Sequence, residues 1–172
     1  MALLASIQQR SQNNALGLPE AVVFAKIWDG LAYSVAGVRV VTAMNEVSEM
    51  LTYPERITSV PGSKEWMLGL ANVRGSLLPV IDLQLYLGAK AVVSSKKARM
   101  LVVRMRGLTT GLIVPSVQGM RHFDEEHRMP NARMKGSLGA YVYDAFSIDD
   151  EIWPVLSLSA LSADPDFRVA AA

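Results

Sequence analysis

Two histidines, His122 and His127, bracket three acids in the run HFDEEH at 122–127. Imidazole beside carboxylate is the pairing from which metal centres and acid–base sites are built. The spacing argues against both. Residues five apart do not share a helix face, and the run fits no strong zinc-ligand pattern, so a polar loop is expected. A Ser-His-Asp triad is a spatial object that sequence alone does not exclude. No G-x-S-x-G elbow occurs, however, and no Walker-type or G-x-G-x-x-G loop is present to cradle phosphate. Asp149, Asp150 and Glu151 cluster at an expected hairpin turn and read as a wet loop. Trp28, Trp66 and Trp153 read as packing residues rather than a ligand cage. The remaining candidate is Arg74, a cation at the turn of the otherwise apolar stretch GLANVRGSLLPVIDLQLYLG at 69–88. Its planar, multi-donor head suits a carboxylate or backbone carbonyls. With no nucleophile, base or metal cage nearby, the chemistry on offer is binding. Glu49 is the expected local partner, because it follows the strand that should neighbour this hairpin.

The elements that must position Arg74 are β-strands. The stretch at 69–88 reads as a strand, a tight turn at Arg74-Gly75, a second strand through Pro79 and a short helix started by Asp82. Upstream, Leu31, Tyr33 and Val35 alternate with Ala32 and Ser34, Ala36-Gly37 makes a two-residue turn, and Val38 and Val40 continue on the return strand. Residues 45–51 read as a short strand or turn. Residues 61–68 are expected to form a single helical turn capped by Ser63. Residues 1–25 read as an arm in which Leu3, Leu4 and Ile7 share a helical face before Asn13, Asn14, Gly17 and Pro19 break the pattern.

The second half resembles the first. A shift of 70 residues places Gly37 on Gly107, Val47 on Val117, Met50 on Met120 and Gly69 on Gly139. A shift of 75 places Leu77-Leu78-Pro79-Val80-Ile81 on Ile152-Trp153-Pro154-Val155-Leu156, with the five additional residues assigned to the second hairpin's turn around 147–150. Such an internal repeat of short strands and glycine turns argues for two small β-barrels with a groove between them. Pro79 and Pro154 must then sit where no ladder N–H is required, and the groove is a natural docking place.

Composition narrows the partners. The 172 residues contain no cysteine, which excludes disulfides and thiolate metal sites and fits a reducing compartment. Seventeen Lys and Arg stand against sixteen Asp and Glu, a net charge of +1, so no global field draws nucleic acid or anionic lipid. The cations of SSKKAR at 94–99 lack interleaved aromatics and read as a solvated loop. The apolar runs are too short for a membrane span, MALLASIQQR makes a poor secretion signal, and a cytoplasmic location is expected.

These residues carry a resemblance. V-x-E-M at 47–50, Pro61, G-L-A-N-V-R-G-S-L-L-P-V-I-D-L at 69–83, L-G at 87–88 and G-L-I-V at 111–114 with Val117 resemble the signature of CheW-like domains, the coupling proteins of bacterial chemosensory arrays. The similarity covers roughly residues 27–163. The arm R-S-x-x-x-A-x-G-L-P at 10–19 and the A-N-V-R-G variant look more like the adaptor of type IV pilus (twitching) systems than the flagellar one. The resemblance implies a mainly β fold of two SH3-like five-stranded barrels with short helices. It divides the chain into an arm at 1–25, a CheW-like domain of two intertwined barrel subdomains at 26–163 and a C-terminal tail at 164–172. It further implies an adaptor without catalysis, cofactor, metal or small-molecule substrate, cytoplasmic and recruited to membrane-associated receptor arrays. Its partners would be a methyl-accepting chemoreceptor and a CheA-like histidine kinase. Carried over by position, Arg74 and Glu49 would face the receptor, with Val47, Asn72, Val73 and Gly75 beside them. One departure stands out: the family usually has Asp after the G-L-I-V strand, where this chain has Pro115. The strand is expected to end early or bulge there.

Overall fold

The computed structural model describes residues 25–171; the expected arm at 1–25 lies, but for its last residue, outside them. Eleven strands form two sheets. They are β1 (Ile27–Val35), β2 (Val38–Ala43), β3 (Val47–Thr52), β4 (Met67–Val73), β5 (Ser76–Asp82), β6 (Arg99–Met105), β7 (Leu108–Val114), β8 (Ser116–Asp124), β9 (Arg128–Pro130), β10 (Val142–Ile148) and β11 (Glu151–Leu156). Three short helices follow the hairpins: α1 (Leu83–Tyr86), α2 (Leu158–Ala163) and α3 (Pro165–Ala171). The six-stranded sheet runs β8-β1-β2-β11-β10-β9 and the five-stranded sheet β3-β6-β7-β5-β4. The expected mainly β fold is present, with β9 as a short sixth strand on one sheet.

The repeat is written in the register. Val47 pairs with Val103 and Glu49 with Val102, leaving Ser48 as a bulge; 70 residues on, Val117 pairs with Tyr33 and Gly119 with Ala32, leaving Gln118. Met67 and Gly69 pair with Ile81 and Val80 around a bulge at Leu68; 75 residues on, Val142 and Asp144 pair with Leu156 and Val155 around Tyr143. The halves exchange strands. β3, β4 and β5 join β6 and β7, while β8, β10 and β11 join β1 and β2, so each sheet draws on both copies. One parallel contact closes each exchange, Val80 beside Gly111 and Val155 beside Val41. Pro79 and Pro154 sit one residue ahead of those contacts, where β5 and β11 gain a second neighbour and a missing donor does least damage.

Four two-residue turns close the hairpins, at Ala36-Gly37, Arg74-Gly75, Arg106-Gly107 and Asp149-Asp150. All eight residues have positive φ, the mirror-image geometry whose twist matches the strands it joins. This corrects two readings. The turn at 149–150 has no insertion; the five additional residues fall between β8 and β10. Gly69 and Gly139 are not counterparts, since Gly69 lies on β4 and Gly139 in a 3-10 turn at 137–141. The expected helical turn at 61–68 is also absent. Ser63 Oγ donates to the Val60 carbonyl at 2.7 Å, Gly62 is left-handed, and β4 begins at Met67.

The core has three parts. Ala32, Val41, Phe123, Phe146 and Trp153 fill the six-stranded sheet. Ala71, Leu78, Val80, Met100, Val102 and Ile113 fill the five-stranded one. Between them lies the largest cluster, with Leu31, Tyr33 and Val40 from one sheet and Ile81, Leu101, Val103 and Leu112 from the other, closed by Leu156, Leu158 and Phe167. Central strands are therefore covered on both faces, which is why Ala32, alternating with Leu31 and Tyr33, is fully buried as they are. Beyond residue 163, α3 plants Phe167 in that shared cluster. Asp82 and Ser157, 75 apart, cap α1 and α2 through Leu85 N and Ala160 N.

Candidate functional site

β3 and β4 are the two edges of the five-stranded sheet. Glu49 stands on β3, and Arg74 caps the β4–β5 hairpin. Their side chains nevertheless meet, with Arg74 Nη1 2.8 Å from Glu49 Oε2. The sheet therefore curls until its first and last strands face each other across a seam bridged by side chains. Arg74 is 74% exposed and Glu49 27%. The acid is rooted in the seam and holds the guanidinium out toward solvent. An exposed ion pair stabilises a fold by less than about 1 kcal/mol, so orientation is its larger effect.

The turn beneath Arg74 is built by its neighbours. Asn72 Oδ1 accepts the Gly75 N–H at 2.9 Å, and Gly75 supplies a φ of 83°. Along the seam runs a groove of about 560 Å³, lined among others by Leu51, Arg56, Leu70, Val73, Leu77 and Met100. Leu77 is 66% exposed despite its place in the apolar run at 77–81. Glu49, Asn72, Val73, Arg74 and Gly75 are thus brought together. Of the expected residues, Asn72 and Val73 line the groove, while Glu49, Arg74 and Gly75 stand beside it; Val47, half-buried, packs against the shared core. The groove lies within one sheet rather than between two barrels, because the strand exchange fills the space between the sheets with the largest apolar cluster. Sequence reasoning missed the groove's floor. Leu51, Leu70 and Met100 read as ordinary strand residues, and only the position of Leu77 two residues after a turn signalled exposure.

The other candidates separate. His122 lies on β8 rather than in a loop, opposite Asp29 and bonded to its carboxylate. His127 ends a 3-10 turn at 125–127. Among the described residues no group of three His, Asp or Glu side chains is placed to hold a metal. Glu125, from the same run, binds Arg128 at 2.7 Å, and that hydrogen bond holds its carboxyl below the usual range. Glu151 pairs with Arg39 at 2.9 Å, and Asp149-Asp150 forms the exposed turn expected of it. Pro115 stands between β7, complete to Val114, and β8, which starts at Ser116. No helix among the described residues is long and apolar enough to cross a membrane.

Residues 29–166 match the CheW-like domain family. The chain is 36% identical over 168 residues to Protein PilI of Pseudomonas aeruginosa, covering 96% of this chain and 92% of that one. It is 28% identical over 114 residues to the probable chemotaxis protein CheW of Rhizobium etli, covering 66% and 74%. The crystal structure of the scaffolding protein TtCheW from Thermoanaerobacter tengcongensis superposes with a TM-score of 0.71 at 26% identity, over 82% of this chain and 96% of that one. A duplicated, strand-exchanged β fold and a family match over most of the chain agree: this protein belongs to the CheW-like family of non-catalytic scaffolds.

Proposed function

We propose that the protein couples a methyl-accepting chemoreceptor to a CheA-like histidine kinase, and that the Arg74–Glu49 groove is the receptor's docking place. One observation carries this: a guanidinium held outward by a half-buried acid, beside an open groove of mixed apolar and polar lining. An interface of standard size, about 800 Å² per partner, would find there the apolar side chains of Leu51, Leu70 and Leu77 beside an oriented guanidinium, the combination typical of a hot spot. Similarity to PilI and the arm motif at 10–19 favour pilus-based motility over flagellar chemotaxis as the pathway. Action is geometric: the scaffold holds receptor and kinase in register in the cytoplasm, at membrane-associated arrays. The test is capture of a receptor's cytoplasmic hairpin fragment by wild type and Arg74→Glu. Loss of capture with an unchanged melting temperature is expected; undiminished capture would remove the groove from the receptor interface.

A further inference from the structure

A second cleft, of about 330 Å³, shares no lining residue with the Arg74 groove. Its walls are Trp66, Tyr86 and Tyr141, and its polar floor is Asp164. Trp66 meets Tyr86 edge-on with centroids 4.8 Å apart, and Tyr86 lies 6.3 Å from Tyr141. The hydrogen bonds run one way. Tyr141 gives its proton to Asp164 Oδ2 at 2.6 Å, so across the 3.0 Å contact between the two phenols Tyr86 must donate to Tyr141. Asp164 Oδ1 accepts the Asp166 N–H at 2.9 Å. With both phenol protons committed inward, the cleft presents acceptors: phenol oxygens, the Asp164 carboxylate and the exposed carboxylate of Asp166. Tyr141 and Tyr86 are pushed up, chiefly by burial, and stay neutral, while the Tyr141 hydrogen bond holds Asp164 below its ordinary value and charged. Lys64, exposed on one lip, offsets one of the two negative charges.

Acceptors, aromatic walls and surplus negative charge define a receptor for a flat cation carrying several N–H donors. We propose that this cleft seats the guanidinium of an arginine presented by a protein partner. The volume is at the low end for ligand pockets, enough for one side-chain head and stem. Asp164 already caps α3, so the seat is rigid before anything docks.

The experiment is an amide and indole NMR titration of the intact protein with three probes: ethylguanidinium, its neutral isostere ethylurea, and free L-arginine. Ethylguanidinium should shift the Trp66 indole N–H and the amides of Tyr86 and Asp166, saturating with a Kd on the order of 1–10 mM, as suits so small a fragment. Ethylurea should not, and L-arginine should bind within about threefold of ethylguanidinium. Asp166→Asn, whose side chain makes no hydrogen bond or ion pair among the described residues, should weaken the response at least about twofold by removing one surface charge. Equal shifts from ethylurea, or none from ethylguanidinium, would overturn the site. L-arginine binding tenfold tighter than the fragment would overturn the partner assignment in favour of a free amino acid. None of these readouts involves Arg74 or the receptor.

Discussion

At the scale of single residues, Arg74 occupies a backbone position that suits it poorly. Its φ of 50° lies in the left-handed region, where a side chain with a Cβ is disfavoured by roughly 1–2 kcal/mol, and the exposed ion pair returns less than about 1 kcal/mol. Arg74→Asn, which tolerates this backbone better, is therefore expected to leave denaturant stability unchanged or raise it by up to about 1 kcal/mol, while receptor capture falls. A loss above about 1.5 kcal/mol would show that Arg74 is held for the fold rather than for docking. Tyr33 is another residue whose polar atom does little for the fold. It is fully buried in the shared core, where its hydroxyl has the Thr42 hydroxyl near it but makes no bond of good geometry, Thr42 being turned to the Leu156 carbonyl. An orphaned buried hydroxyl costs about 1–3 kcal/mol, so Tyr33→Phe should be neutral or stabilising in the same assay. Arg74 and Glu49 were legible in the sequence because a lone guanidinium at an apolar turn and an acid on the neighbouring strand are local signals. The groove beside them was not, because its floor is assembled from strands that meet only after the sheet has curled.

At the scale of elements, the bulges and one glycine set the shape of the seam. Gly69 follows the bulge at Leu68 with a φ of 139°, and a Cβ there would stand 2.1 Å from the Thr58 carbonyl oxygen. That carbonyl accepts the Leu70 N–H while Thr58 N–H donates back, both at 2.8 Å, so the obstacle is backbone that cannot step aside. Gly69→Ala should cost more than about 3 kcal/mol or prevent folding, as a combined clash and backbone strain. Asn72→Ala should cost only about 1 kcal/mol, since it removes one exposed turn hydrogen bond; urea denaturation separates the two outcomes. The hairpins were readable because X-Gly turns between apolar strands announce themselves over a few residues. The bulges were not, since Ser48, Leu68, Gln118 and Tyr143 share no residue type and become bulges only through pairing. The false match of Gly69 with Gly139 has the same origin: identity at one spacing, with no ladder to test it.

At the scale of the whole molecule, strand exchange makes the halves interdependent. The β1–β2 hairpin is flanked only by strands of the second half, β8 and β11, and the β6–β7 hairpin only by strands of the first, β3 and β5. Fragments 25–94 and 95–171 should each lack dispersed NMR spectra alone and regain them when mixed, and the intact chain should melt in one transition. Independent folding of either fragment would contradict the exchange. The repeat was visible in the sequence, but which strand joins which sheet was not, because that choice rests on contacts far apart in the chain. Acid should weaken the assembly in a specific way. Asp164 is held below its ordinary value, so the folded state binds its proton less readily than the unfolded chain. The stability it contributes is complete above the ordinary carboxylate value of about 4 and is lost as pH falls through the lowered one. Wild type should therefore lead Asp164→Asn in melting temperature near neutrality, with the gap narrowing between about pH 5 and pH 3. Glu46 acts in the opposite sense. It bonds the Leu158 and Ser159 amides, yet burial raises its value, so its ionisation costs stability as pH climbs.

The seam has one further consequence. The other strand junctions in the five-stranded sheet are hydrogen-bonded ladders, whereas between β3 and β4 the margin is closed by the Arg74–Glu49 ion pair and the Thr58–Leu70 backbone bridge. This margin is therefore tied at two points, one of side chains and one of backbone. Displacing the ion pair alone would break no backbone hydrogen bond, whereas widening the hollow would also break the two bonds between Thr58 and Leu70.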